Sequence, residues 1–144
     1  MLDPRYVAGL FDGEGNINIA QSNASMFLVV RVQIYISNKE VLQKMAETYP
    51  LSSFNDKRQG CAGNVDVFQW AIRGYNAASF IETIEPHCIV KRDDIAWFWR
   101  WFNLPRSSRG NKTPSAELIQ ARTDFYKEYK EWREVTFKRK PRTT

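Results

Sequence analysis

The sequence predicts an α+β fold in which helices cover one face of a four-stranded antiparallel sheet. Four runs of residues alternate between apolar and polar side chains, and they fall into two pairs typical of antiparallel hairpins. Around these pairs, apolar residues recur at helical spacing in segments bounded by capping residues, proline or glycine. The 144 residues are expected to form one domain, with a core over about residues 1–103.

A first helix is predicted to begin near residue 4. Asp3 is a suitable N-cap, Pro4 occupies the first helical position, and Gly13 and Gly15 end the helix. The helix therefore presents the carboxylate of Glu14 at its end.

The same helix carries small residues on one side. Gly9 and Gly13 lie four residues apart, with Ala8 beside them, which allows another backbone to approach closely. We expect this face to pack against a second, similar helix. Two copies would bring two Glu14 carboxylates together, and clustered carboxylates bind hard cations such as Mg²⁺.

The first predicted hairpin consists of residues 16–21 and 26–37, with a loop at 22–25. Its core-facing residues are Ile17, Ile19, Leu28, Val30, Val32, Ile34 and Ile36. The opposite face presents Asn16, Asn18, Ala20, Arg31, Gln33 and Tyr35. This second set can form hydrogen bonds and suits the recognition of base edges.

A second hairpin is predicted over residues 51–57 and 64–73, after a helix that Asn38 caps and Pro50 ends. The facing of its second strand is ambiguous, because Phe68, Trp70 and Ile72 form one row and Val65, Val67, Gln69, Ala71 and Arg73 form the other. Placing the bulkier aromatic row in the core directs Gln69 and Arg73 outward.

Three further helices complete the prediction. The first covers about residues 75–85, and the second covers about 92–103 and is so rich in aromatic residues that it must be buried on more than one side. The basic segment 104–114 is either a phosphate-contacting loop or a solvated linker. The last helix spans about 115–135, and a basic tail follows over 136–144.

The composition favours a polyanionic partner, since 21 Lys and Arg against 16 Asp and Glu give a net charge of +5. The single histidine, His87, cannot build a histidine-rich metal site. Cys61 and Cys88 lack metal-ligand spacing and are expected to be free thiols. No signal peptide, membrane-length apolar run or lipidation motif is present, so we expect an intracellular, soluble protein without membrane contact.

The segment VAGLFDGEG, Val7 to Gly15, resembles the signature of the LAGLIDADG homing endonucleases. Val7 stands where Leu is usual, and Glu14 stands where Asp is commoner, but both acidic positions are kept. The resemblance implies that Glu14 binds the catalytic metal with help from the Gly13 carbonyl. It also implies that Asp12 is mainly a helix-end and dimer-interface residue, beside Ala8, Gly9 and Gly13.

Two weaker similarities supply further catalytic candidates. The segment 85–92 resembles the family's proline-containing segment that ends in a basic residue, which points to Lys91. The turn after the long strand matches a position where the family places a solvent-positioning polar residue, which points to Asn38. The element order resembles the family's αββαββα unit, whose four-stranded antiparallel sheet forms a saddle over the DNA major groove, with C-terminal helices added here.

The resemblance implies a site-specific, intron-encoded endonuclease that hydrolyses double-stranded DNA with Mg²⁺, or Mn²⁺ in its place. Because only one signature is present, a homodimer reading a palindromic or nearly palindromic site is expected. Sheet residues Asn16, Asn18, Ala20, Arg31, Gln33, Tyr35, Gln69 and Arg73 would contact DNA. The alternatives are an RNA maturase, a non-cleaving DNA-binding regulator on the same fold, and a basic α+β nucleic-acid-binding domain without enzymatic activity.

Overall fold

The computed structural model describes residues 1–22, 27–56, 66–106 and 114–137. The elements in chain order are α1 (Pro4–Glu14), β1 (Gly15–Ser22), β2 (Phe27–Ile36), α2 (Lys39–Thr48), β3 (Ser53–Asn55), β4 (Phe68–Arg73), α3 (Ala78–Ile84), α4 (Arg92–Phe102) and α5 (Ala116–Thr136). Two 3₁₀ turns, Gly74–Ala77 and Glu85–His87, flank α3. This order confirms the predicted αββαββα arrangement, which α4 and α5 follow as additional C-terminal helices.

The chain divides into two compact units. The first comprises Met1–Ile19 and Val29–Phe102, and the second comprises Ala20–Leu28 and Asn103–Thr144. The first unit ends where the predicted core ends, near residue 103.

The predicted four-stranded sheet is confirmed, with the strand order β1-β2-β4-β3. β4 pairs antiparallel with both β2 and β3. The third strand is shorter than the predicted 51–57, because the chain is still turning after α2. Ser52 donates a backbone hydrogen bond to Tyr49 at 2.9 Å, and Leu51 is exposed. The predicted turn at 59–63, with Cys61, lies outside the described residues.

Local capping explains where several helices begin. The Asp3 carboxylate accepts from the Arg5 N–H at 2.8 Å, and Asn38 accepts from the Val41 N–H at 3.1 Å. Ser115 caps α5 in the same way, accepting from the Leu118 N–H at 3.2 Å. The N-caps predicted at Asp3 and Asn38 are therefore confirmed, and Ser115 lies at the predicted start of the last helix.

The helix predicted over 75–85 starts later than expected. Gly74 has a φ of +59°, and the chain passes through a 3₁₀ turn before α3 begins at Ala78. A left-handed backbone conformation favours glycine and interrupts a right-handed helix, which accounts for the delayed start.

The core of the first unit lies between the sheet and α1, α2, α3 and α4. Phe80 is at its centre, with ring centroids 4.9 Å from Trp70, 4.9 Å from Tyr49 and 5.7 Å from Phe11. Such edge-on and tilted pairs are favourable beyond the area they bury. The predicted aromatic row of the second hairpin therefore packs inward, with Trp70 at 0% exposure and Ile72 at 2%.

The aromatic helix α4 is buried along one stripe and partly covered elsewhere. Ile95, Phe98 and Trp101 are buried, and Trp97 and Trp99 are half-buried. The Trp99 indole N–H donates to Glu85 at 2.9 Å, and the Arg100 guanidinium lies 4.3 Å from the Trp97 ring centre. These polar partners explain how an aromatic helix can leave some rings half-exposed.

In the second unit, α5 buries Leu118, Phe125 and Tyr129. The Phe125 and Tyr129 rings are stacked with their centroids 6.4 Å apart, and the Arg122 guanidinium lies 5.8 Å from the Phe27 ring centre. Most of the predicted basic loop, residues 107–113, and most of the basic tail, residues 138–144, lie outside the described residues. No helix in the described part of the chain is long and apolar enough to span a membrane.

Candidate functional site

The C-terminal end of α1 joins the sheet directly. α1 ends at Glu14 and β1 begins at Gly15, with no intervening residue. A side chain at position 15 would overlap the buried ring of Phe11, so only glycine fits there. The Gly15 N–H donates to the Phe11 carbonyl and closes the last helical turn.

Asp12 binds a distant segment of its own chain. Its carboxylate accepts from three consecutive backbone N–H groups, those of Ile89 at 2.8 Å, Val90 at 3.1 Å and Lys91 at 3.1 Å. Burial alone would raise the pKa of Asp12, but these hydrogen bonds outweigh it and hold that pKa below its usual value. Asp12 is therefore a charged acceptor that fastens the start of α4 to the end of α1.

Cys88 lies in the same place, buried beside α1. Its thiol lies 3.9 Å from the Ala8 carbonyl oxygen, and its side chain is fully buried. Burial, together with the nearby Asp12 charge, raises the pKa of Cys88 to about 12. Cys88 is thus a neutral thiol in the free state, as the sequence predicted, and is unsuited to act as a nucleophile.

Glu14, unlike Asp12, faces solvent. Its side chain is exposed and forms no hydrogen bond or ion pair with any residue in the described part of the chain. Within those same ranges, no group of three or more His, Cys, Asp or Glu residues could hold a metal ion. Among the described residues, the end of α1 therefore offers one open carboxylate, that of Glu14. Mg²⁺ fits such a donor, since it retains several waters and commonly uses one or two carboxylates together with substrate phosphates.

The predicted dimer-interface residues do not all lie on one open surface. Gly9 and Gly13 are exposed, and a Cβ added at either would find no atom within 4 Å. Ala8 is fully buried in its own chain, and the Asp12 carboxylate is bound to residues 89–91. The helical rotation of about 100° per residue turns Ala8 away from Gly9. The open part of this helix face consists of the two glycines.

The other catalytic candidates have different surroundings. The Lys91 backbone is fastened to Asp12, two residues before Glu14, and its side chain is half-buried. Asn38 is exposed and uses its side-chain oxygen to cap α2. Its neighbour Lys39 forms an ion pair with Asp56. The catalytic roles of Lys91 and Asn38 remain predictions.

The second candidate region is the polar face of the sheet, opposite the core. The register of β2 and β4 places Arg31 opposite Arg73, and Tyr35 opposite Gln69. Gln69 also donates a side-chain hydrogen bond to Gln33 at 3.1 Å. The predicted outward facing of Gln69 and Arg73 agrees with this register, because directly opposed residues share a face.

The outer strands extend this face. On β1, Asn16 is exposed, whereas Asn18 and Ala20 are half-buried, and they alternate with the buried Ile17 and Ile19.

On β3, Ser53 lies opposite Ala71 and Asn55 lies opposite Gln69, so both share the polar face. Ser53 and Asn55 are not among the residues predicted for this face. A strand of three residues is too short for its alternation to be recognised, and only the pairing register reveals its facing.

Comparisons with known proteins address the fold. No protein-family model and no curated protein matches the sequence. Among solved structures, the homing endonuclease I-CvuI, in complex with a DNA target, matches with a TM-score of 0.68 and 12% identity over 97% of this chain and 85% of that chain.

Two further solved structures match, both of them complexes with DNA. The LAGLIDADG meganuclease I-AabMI, bound to uncleaved DNA, matches with a TM-score of 0.63 and 18% identity over 86% of this chain and 43% of that one. The group I intron-encoded homing endonuclease I-CeuI matches with a TM-score of 0.56 and 16% identity over 85% and 75% of the two chains. The chain therefore has the fold of the LAGLIDADG homing endonucleases.

Proposed function

We propose that the protein is a site-specific endonuclease that cuts both strands of duplex DNA as a homodimer with a divalent metal. The observation that carries this proposal is the Glu14 carboxylate, held open at the end of the signature helix while the neighbouring acid, Asp12, is bound within the chain. The fold supports it, because the matching homing endonucleases were solved in complex with DNA.

Glu14 is the proposed metal ligand, with the Gly13 carbonyl as its neighbour. When bound, Mg²⁺ would activate a water for attack on the phosphodiester and neutralise charge on the leaving oxygen. Its binding would also balance the exposed carboxylate. Retention of the acid at this position is the reason for preferring an enzyme to a non-cleaving regulator.

Lys91 and Asn38 are the proposed supporting groups. Asp12 fixes the backbone at Lys91 next to the helix end, so the ammonium group can stabilise the negative charge that develops on the phosphate. The Asn38 amide can orient solvent while its oxygen caps α2.

A homodimer is proposed because one chain offers only half of a two-carboxylate site. The chain covers 85% of I-CvuI but only 43% of I-AabMI, which leaves room in the longer protein for a second unit of this size. The exposed Gly9 and Gly13 provide a surface on α1 where a second helix could approach closely.

The polar face of the sheet is the proposed DNA-reading surface. It would place Asn16, Asn18, Ala20, Arg31, Gln33, Tyr35, Gln69 and Arg73 towards base edges, with Ser53 and Asn55 added by the structure. A two-fold dimer would present two such faces and read a long, nearly palindromic site.

The test is a cleavage selection on a library of randomised duplexes. The full-length protein is incubated with Mg²⁺, Mn²⁺ or EDTA, and cut ends are sequenced. Cutting at one nearly palindromic sequence with either metal, and none in EDTA, is expected. Binding without cutting under every metal condition would contradict an endonuclease and favour a regulator.

The dimer is tested with Gly9→Ala. The added methyl group meets nothing within 4 Å in its own chain and should improve helix propensity, so a folded monomer is not harmed. If the glycine face packs against a partner, the added methyl group should weaken the dimer, and sedimentation should show it dissociating at about tenfold higher protein concentration than wild type. Unchanged dimerisation would place the interface elsewhere, and an active monomeric wild type would contradict a shared site.

A further inference from the structure

The central strands of the polar sheet face carry two arginines that directly oppose each other. Arg31 on β2 and Arg73 on β4 are cross-strand partners. Like charges in this arrangement repel, because the paired Cβ atoms are only about 5 Å apart. Neither arginine has an ion-pair partner among the described residues. The free protein therefore maintains a concentrated positive charge that an external acceptor would relieve.

The side chain of Arg31 is partly buried where the guanidinium group begins. Its Nε atom is buried and has no hydrogen-bond partner in the described ranges, and it is the one guanidinium nitrogen there with both properties. A partly immobilised arginine loses less side-chain freedom on binding than a fully solvated one. This arrangement favours a directional contact over a diffuse attraction to phosphates.

The position of Arg31 and Arg73 in the sheet favours a base edge over a phosphate as the group that they bind. In the order β1-β2-β4-β3, the strands that carry Arg31 and Arg73 are the two inner strands, so the pair lies in the middle of the face. A sheet in the major groove directs its middle towards the base pairs and its margins towards the phosphates. The base edge that matches an arginine fork is guanine, with its O6 and N7 acceptors.

A second pair of side chains lies next to the arginines. Gln33 is buried, with 7% exposure, and accepts a hydrogen bond at 3.1 Å from the half-buried Gln69. This leaves the second amide N–H and the carbonyl oxygen of Gln69 for other partners. This combination of donor and acceptor complements N7 and N6 of adenine. One contact within the pair also restrains both long side chains before any ligand arrives.

The spacing of the two pairs relates to the spacing of base pairs. Successive residues on one face of a strand are about 6.8 Å apart, which is about two steps of duplex DNA at roughly 3.4 Å each. Gln33 is one such step from Arg31 along β2, and Gln69 lies opposite Tyr35, one step further. The two pairs would therefore contact base pairs about two to four positions apart.

We infer that Arg31 and Arg73 together specify guanine in each half-site, and that Gln69, restrained by Gln33, specifies an adenine about two to four base pairs away. This inference rests on the proposed function for its ligand, duplex DNA. It adds which bases are read and which side chains read them.

The experiment is a binding selection from randomised duplexes in EDTA, so that bound DNA stays uncut. Wild type is compared with Arg31→Lys and Arg73→Lys, which keep the charge but lose the planar fork. We expect the guanine preference at one half-site position to fall about tenfold or more, with affinity for unselected DNA within about twofold. Gln33→Ala should weaken the adenine preference alone.

Arg5→Lys, the same change at the start of α1, is the matched control and should alter no base preference. Loss of affinity for all sequences equally in the sheet variants would identify phosphate contacts and overturn the inference. The inference would also be overturned if the target sequence selected by the wild-type protein contained no guanine at that position. A selected guanine with no cleavage in the metal assay would leave this inference standing while the proposed nuclease activity fails. Absence of any duplex binding would overturn both.

Discussion

The end of α1 and the polar sheet face both carry charge that one chain does not balance, but the signs are opposite. At the helix end, the charged carboxylate of Asp12 is stabilised by three N–H groups, whereas that of Glu14 is left open. On the sheet, Gln33 and Gln69 are joined by a hydrogen bond, whereas Arg31 and Arg73 oppose each other with like charges. The end of α1 is suited to bind a cation, and the polar sheet face is suited to bind a polyanion. Mutations in one region should therefore affect cutting, and mutations in the other should affect recognition.

The largest difference between the effect on cutting and the effect on DNA binding is expected from Glu14→Gln. The change removes the open carboxylate but keeps the size of the side chain, so metal-dependent cutting should fall by more than about 100-fold. Affinity for the target should change little, since the sheet face is untouched. Parallel cleavage and binding titrations measure both. Glu47→Gln, at an exposed position on α2, is the control, and retained cutting by the Glu14 variant would reject the catalytic assignment.

A smaller effect on cutting is expected from Asp12→Asn. The amide cannot accept from Ile89, Val90 and Lys91 as a carboxylate does, so the segment before α4 loosens. We expect unfolding free energy to fall by about 1–3 kcal/mol and turnover by about 10- to 100-fold, with target affinity kept.

Single-turnover cleavage measures the contribution of Asp12 to catalysis, and urea unfolding measures its contribution to stability. Lys91→Ala serves as the comparison, because it should lower turnover without loss of stability. If the Asp12 variant loses stability but cuts normally, Asp12 holds the fold and does not position Lys91.

The junction of the two regions is tested with Gly15→Ala. The methyl group would collide with the Phe11 ring, and we expect a loss of about 1–3 kcal/mol in unfolding free energy. In a Phe11→Leu background the same change should cost less, since the ring is gone. Denaturant unfolding of the four variants gives the coupling between the positions. Additive effects would show that the glycine is needed for another reason.

The smallest effect on function is expected at Cys88. A rise in its pKa from 9.0 to about 12 lowers the thiolate fraction at pH 8 by about 1,000-fold. With Cys61→Ser leaving one thiol, native protein at pH 8 should react with iodoacetamide far more slowly than urea-unfolded protein, without loss of activity. The rate should rise as the pH approaches 12. Equal rates at pH 8 in both states would contradict the burial of Cys88.

The features that could be predicted from sequence depend on neighbours along the chain. Asp3 and Asn38 cap helices by accepting from N–H groups that lie two or three residues away, so local spacing is sufficient to identify them. Alternation along β2 likewise separates its core-facing side chains from Arg31 and Tyr35, whereas Gln33, on the same face as these two, is buried. The exposed carboxylate of Glu14 followed from its place at the end of a helix.

The features that could not be predicted depend on chain segments far apart. Asp12 is separated from Ile89 by 77 residues, and nothing in either segment indicates the three hydrogen bonds. The opposition of Arg31 and Arg73 is set by the register of two strands, which the sequence of neither strand specifies. Ala8 was placed with the glycines by sequence proximity, but the helix turns it into the core.

The absence of any loop between α1 and β1 has a consequence for the proposed enzyme. Glu14 and the first strand residue are adjacent, and Phe11 locks the glycine between helix and sheet. Such a connection is rigid. It would fix the distance between the cleaved phosphodiester bonds and the base pairs that the sheet contacts. Redesigning the sheet surface would therefore change which DNA sequence the protein binds, while the position of the cut within the bound sequence stays constant.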